Sequence, residues 1–118
     1  MSRRKKRSKK PAPPKKAGEI IAGRPVFLTD HAIARFIQRT KGYDLPLEIS
    51  NPEKYARKLL FTSREDRSLD DVDRVKRLIN NDFEEVIYLS NVGVGLRFVL
   101  KPKGNSLIVL TVETIDKR

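Results

Sequence analysis

The 118-residue chain contains no cysteine and no tryptophan, and only one histidine. The lack of cysteine excludes a disulfide framework, a thiolate zinc site and a thiol nucleophile. A single histidine excludes a multi-histidine metal site and a paired-imidazole acid–base mechanism within one chain. No apolar run approaches the ~18–20 residues of a membrane span. Arg24 and Pro25 interrupt the only apolar stretch after the basic start, which argues against a secretory leader. The expectation is a soluble, cytoplasmic protein with no metal, no cofactor and no membrane partner.

Negative charge is missing from one region. Residues 1–18 hold nine cations and no acid: Arg3, Arg4, Lys5, Lys6, Arg7, Lys9, Lys10, Lys15 and Lys16. Residues 19–118 hold the other 17 basic residues and all 15 acidic ones, so the body is close to neutral. Residues 1–18 also lack aromatics and, after Met1, any aliphatic side chain larger than alanine, so they cannot offset the entropy of ordering. They read as a disordered arm, with Pro11, Pro13 and Pro14 favouring extended geometry. Such an arm suits phosphate contacts with counterion release. It also matches a nuclear address segment or a solubilising tail. Without aromatics it lacks the stacking groups that read single-stranded bases, so it would give affinity without sequence choice.

Residues 19–118 read as one α+β domain. Arg24–Thr29 is a short apolar edge strand. Asp30 offers a helix N-cap, and Ala32, Ile33, Phe36 and Ile37 recur at helical spacing over residues 31–40. Lys41-Gly42 ends that helix, and Tyr43–Ser50 forms a loop. Asn51-Pro52 starts a second helix with Tyr55, Ala56, Leu59 and Leu60 on its apolar face. Ser63–Arg67 is turn-like. Ser68 with Asp71 resembles a capping box before a third helix, whose Val72, Val75, Leu78 and Ile79 should face the core and which Asn80-Asn81 closes. The period then changes to two: Glu84–Ser90, Gly95–Lys101 and Ser106–Ile115 predict a three-stranded antiparallel meander. Helices followed by a meander suggest about three helices packed on one sheet face.

His31, Arg35 and Arg39 recur every four residues on the first helix, with Gln38 beside them, opposite Ile33, Phe36 and Ile37. Arginine offers planar permanent donors to phosphate oxygens, and histidine exchanges a proton near neutral pH. The same stripe is also an ordinary solvated helix face. Asp70, Asp71 and Asp73 form an acidic patch, of which Asp70 and Asp71 are explained as first-turn residues that complement the helix dipole, not as a metal site.

The segment HAIARFIQR, directly after an apolar strand ending in Thr29-Asp30, resembles the first helix of a group of small bacterial and phage domains. Their pattern is His-Ala-x-x-Arg-hydrophobic-x-x-Arg, grouped with the RelE/barnase-like superfamily of metal-independent ribonucleases and toxins. Element order is similar over roughly residues 26–115, whereas the residue-level motif covers nine positions. The resemblance implies an RNA face lined by His31, Arg35 and Arg39, with Arg97 joining from the central strand and Tyr88 and Thr111 supplying hydroxyls. It implies intramolecular RNA cleavage, with His31 as general acid or base and the arginines stabilising phosphorane charge. An acid–base pair needs a second titrating group; the body holds acids such as Glu113 and Glu48, but nothing in the sequence places one near His31. Three functions follow as expectations: a metal-independent endoribonuclease, a non-catalytic binder of nucleic acid (RNA before DNA) or of the ribosome, and a regulatory protein with a protein partner or antidote. The last requires an exposed apolar patch.

Overall fold

The computed structural model describes residues 13–40, 51–66, 71–80 and 86–115. It shows an α+β fold of four helices and a five-stranded mixed sheet among the described residues: α1 (Ala17–Ile21), β1 (Val26–Leu28), α2 (Asp30–Thr40), α3 (Pro52–Phe61), β2 (Arg64–Glu65), α4 (Asp71–Asn80), β3 (Ile87–Asn91), β4 (Leu96–Lys103) and β5 (Ser106–Thr114). The sheet order is β1-β5-β4-β3-β2. The meander expected from the period of two is β3-β4-β5, antiparallel throughout. β1 extends it as a parallel edge strand beside β5.

Alternation along β4 divides the sheet into two faces. Leu96, Phe98 and Leu100 are fully buried in one core with Leu89, Leu107, Val109 and Val112 from the neighbouring strands. Ala17 and Ile21 of α1, Ala32 and Phe36 of α2, and Ala56, Leu59 and Leu60 of α3 close that core from above. α2 packs on β5 and β1, α3 on β3, and α1 against α3 and β2. The Phe36 and Tyr55 rings meet edge to face, 6.2 Å between centroids, and join α2 to α3. The β4–β5 hairpin turns through Gly104-Asn105, where Gly104 has φ +60° as a glycine-first two-residue turn requires.

Four local expectations are corrected. The folded body begins before residue 19: Ala17 is fully buried, its N–H donates to the Ser63 carbonyl (3.0 Å), and Lys16 bridges Arg64. Small side chains at Ala17 and Gly18 hid that helix from a hydrophobicity reading. Arg64-Glu65 is a strand, not a turn; it adds to β3 at the sheet edge. Thr29, not Asp30, caps α2. Its Oγ1 accepts from the Ala32 N–H at 3.0 Å and donates to the Val109 carbonyl at 3.1 Å, tying helix start to strand. At α3 the expected cap holds, with Asn51 accepting from the Lys54 N–H (3.1 Å) and Pro52 at the first position.

The fourth correction concerns α4. Its amphipathic pattern places Val72, Val75 and Ile79 on one face, yet these residues are 54–62% exposed. The helix stands on the second sheet face with its arginines inward: Arg74 donates to the Asp66 carbonyl (3.1 Å) and Arg77 to the Glu113 carboxylate (3.0 Å). The layout is therefore three helices on one face and one on the other. The expected loop 43–50 and the residues Gly42, Ser68, Asp70, Asn81 and Glu84 lie outside the described residues.

Substitution separates the two kinds of apolar position. Phe98→Ala should cost about 3–5 kcal/mol in urea unfolding, as buried phenylalanines do. Val75→Gln on α4 should change stability by no more than about 0.5 kcal/mol. A loss above about 2 kcal/mol at Val75 would mean that the α4 ridge is packed.

Candidate functional site

Thr29 and the buried set Ala32, Phe36 and Thr40 fix the rotation of α2. With 3.6 residues per turn, positions four apart drift by about 40°. His31 therefore lies on the exposed side with Gln38, whereas Arg35 and Arg39 sit progressively nearer the core margin, half-buried. Ile37, expected inside, is 49% exposed. The stripe borders the core at Arg39 instead of lying opposite Phe36.

Arg35 Nη1 donates to Gln38 Oε1 at 2.8 Å, which holds the guanidinium along the helix surface. Arg39 Nε is buried with no hydrogen-bond partner among the described residues. A buried donor left unpaired costs about 1–3 kcal/mol. Neither arginine has a carboxylate partner among the described residues, and His31 is exposed without a hydrogen bond there. The site thus offers two guanidinium groups and an imidazole at one helix surface, suited to phosphate oxygens.

Arg97 does not join them. It points away from Leu96, Phe98 and Leu100, as alternation dictates, and so lies on the opposite face of the sheet from α2. Its side chain is 10% exposed. Nε donates to Asp66 Oδ2 at 2.6 Å, with Asp66 1% exposed, and Nη1 donates to Glu113 Oε1 at 3.1 Å. Ser90, Arg97 and Glu113 form one cross-strand row, and Tyr88, Val99 and Thr111 the next. Arg77 and Arg74 lie over the Tyr88 ring, 5.2 and 6.0 Å from its centroid. Burial opposes charge on Arg77, but hydrogen bonds and proximity to Glu113 and Tyr88 outweigh it and hold its pKa above the ordinary value. Arg97, Tyr88, Thr111 and Glu113 therefore belong to a structural ion-pair layer beneath α4. Glu113 is not near His31, and Glu48 lies outside the described residues.

The sequence held one signal for this layer: a lone arginine in the middle of an apolar strand needs a carboxylate neighbour. Asp66, within a polar SREDR segment, gave no local sign of burial.

Of the arm, residues 1–12 lie outside the described residues, and Lys15 and Lys16 are exposed. Its root is fixed to the β2 edge: the Glu65 N–H donates to the Lys15 carbonyl at 2.8 Å. Among the described residues no cluster of His, Asp and Glu could hold a metal ion, and no helix is long and apolar enough to cross a membrane.

The two arginine groups should respond differently to substitution. Asp66→Ala leaves Arg97 buried without its closest carboxylate and should cost about 3 kcal/mol or more in chemical unfolding. Arg35→Ala should cost about 0.5 kcal/mol or less. If Arg35→Ala destabilises as much as Asp66→Ala, the α2 stripe is structural and not a site.

Compared with models of known protein families, with curated proteins and with solved structures, the chain matched none.

Proposed function

We propose that the protein binds nucleic acid, RNA before DNA, through the basic arm and the outer surface of its helix layer. One observation carries this reading: the division of charge. Asp66 and Glu113 pair with Arg97 and Arg77, and Glu53 pairs with Arg57 on α3, whereas Arg35 and Arg39 have no carboxylate partner among the described residues. Asp66 and Glu113 are thus engaged on the α4 side of the sheet, while the α2 arginines are left without a carboxylate. The sheet order supports joint use of these cations. The arm leaves at β2 while α2 covers β5 and β1, three strand spacings or about 14 Å away, well within reach of twelve extended residues.

Binding is favoured over cleavage because an acid–base pair needs a second titrating group, and no described carboxylate hydrogen-bonds His31. Incubation with RNA and a chelator tests this directly. Chelator-resistant cuts that disappear in His31→Gln would establish the ribonuclease reading. A partner-binding role has an observation of its own, the exposed ridge Val72, Val75 and Ile79. That ridge lies across the sheet from α2, so a protein bound there would leave the α2 surface open.

Deleting residues 1–12 removes seven cations and keeps every described residue. At about 0.7 per phosphate contact on a single strand, the slope of log affinity against log salt should flatten by up to about 5. Arg35→Ala or Arg39→Ala should weaken binding, with Lys restoring it only in part because the planar fork is lost. Fluorescence anisotropy across a salt series measures both. An unchanged slope after deletion would show that the arm does not touch the nucleic acid.

A further inference from the structure

α3 carries an aromatic residue where a helix facing solvent has no structural need of one. Ala56, Leu59 and Leu60 fix its buried face. Positions 54, 58 and 61, spaced four and three apart, fall within about 60° of one another on the opposite side. They are Lys54, Lys58 and Phe61, all exposed or half-buried, with Phe61 at 49%.

The end of α3 is also where the arm is anchored. After Phe61 the Thr62 hydroxyl donates back to the Leu59 carbonyl (3.0 Å), and the chain turns into β2. There the Ala17 N–H donates to the Ser63 carbonyl, and Lys16 bridges Arg64. Arg64 is exposed and follows Phe61 by three residues, within about 10 Å along the chain. Lys54 and Lys58 thus share the exposed face of α3 with Phe61, Arg64 follows it by three residues, and Lys15 and Lys16 lie on the segment bridged to Arg64. None of the five has an ion-pair partner among the described residues. The local acids are otherwise engaged. Glu53 pairs with Arg57, Glu65 accepts from the Lys15 N–H, and Glu19 accepts from the Lys16 N–H.

We propose that Phe61 is a base-stacking platform for single-stranded RNA, with Lys54, Lys58, Lys16 and Arg64 holding the phosphates as the strand passes from the arm onto the helix layer. This rests on the nucleic-acid reading above and names the form of ligand the surface takes. The arm has no aromatic, so stacking must come from the body, and every base presents a π-face to a ring of this kind. A duplex keeps its bases stacked on each other and meets the same surface through phosphates alone.

Full-length Phe61→Ala, Phe61→Leu and Phe61→Trp variants, checked for unchanged circular dichroism, test the proposal against a single-stranded oligouridylate and an RNA duplex of equal length. Ala and Leu should each weaken the single strand about 5- to 100-fold and leave the duplex unchanged. The Phe61→Trp variant should retain affinity, and because the chain has no other tryptophan its indole fluorescence should be quenched by the oligouridylate. Wild-type-like binding by Phe61→Leu, equal losses on both ligands, or binding that leaves the indole emission of Phe61→Trp unchanged would overturn the platform. So would emission that follows protein concentration instead of RNA, which would mark Phe61 as a contact between copies. If removal of residues 1–12 weakens binding and Phe61→Ala does not, this site falls and the nucleic-acid reading stands. If the wild type binds neither RNA, both fall.

Discussion

A guanidinium in the middle of an apolar sheet dictates much of this structure. Arg97 lies on β4 between Leu96 and Phe98, which alternation sends into the core, so its own side chain enters the opposite face. A charge buried there requires anions, and Asp66 and Glu113 supply them. Those acids in turn draw the arginines of α4: Arg77 onto Glu113, and Arg74 onto the Asp66 carbonyl and over the Tyr88 ring. Three consequences follow. β2 is held as the fifth strand, α4 docks by its polar side, and the carboxylates best placed to neutralise the surface are committed inside.

This chain of causes sets how far the sequence could be read. Strong periodicity with matching punctuation was legible. Asn51-Pro52 capped α3 as expected, and the period-two runs became β3, β4 and β5 with boundaries within about three residues. Elements whose stability is tertiary were not. β2 is two residues long and exists because β3 offers an edge, and α1 has only five residues, opening on Ala17 and Gly18. α4 was legible as a helix but inverted in orientation, because an amphipathic pattern states which residues share a face and not which face meets the sheet. Arg77 instead reaches Glu113, and Val72, Val75 and Ile79 are left exposed.

The site divides in the same way. That His31, Arg35 and Arg39 share one helix surface follows from spacing, and the structure keeps them together on α2. Alternation assigns Arg97 to the correct sheet face, but its expected role beside His31 is overturned by its pairing with Asp66 and Glu113. Its burial and pairing depend on Asp66, 31 residues away in sequence. Phe61 was invisible for the converse reason: next to Leu59 and Leu60 it reads as one more core residue, and only the rotation of α3 shows it to be exposed among lysines.

The central claim is that RNA meets the helix layer and not the ion-paired face. A ¹⁵N-resolved NMR titration of the full chain with oligouridylate addresses it most directly. Shift changes should concentrate on α2 between His31 and Arg39, on α3 between Lys54 and Phe61, and at Lys15 and Lys16. The amides of Arg74, Arg77 and Arg97 should stay in place. Changes centred on α4 and the Arg97 row, with α2 and α3 unmoved, would contradict the account.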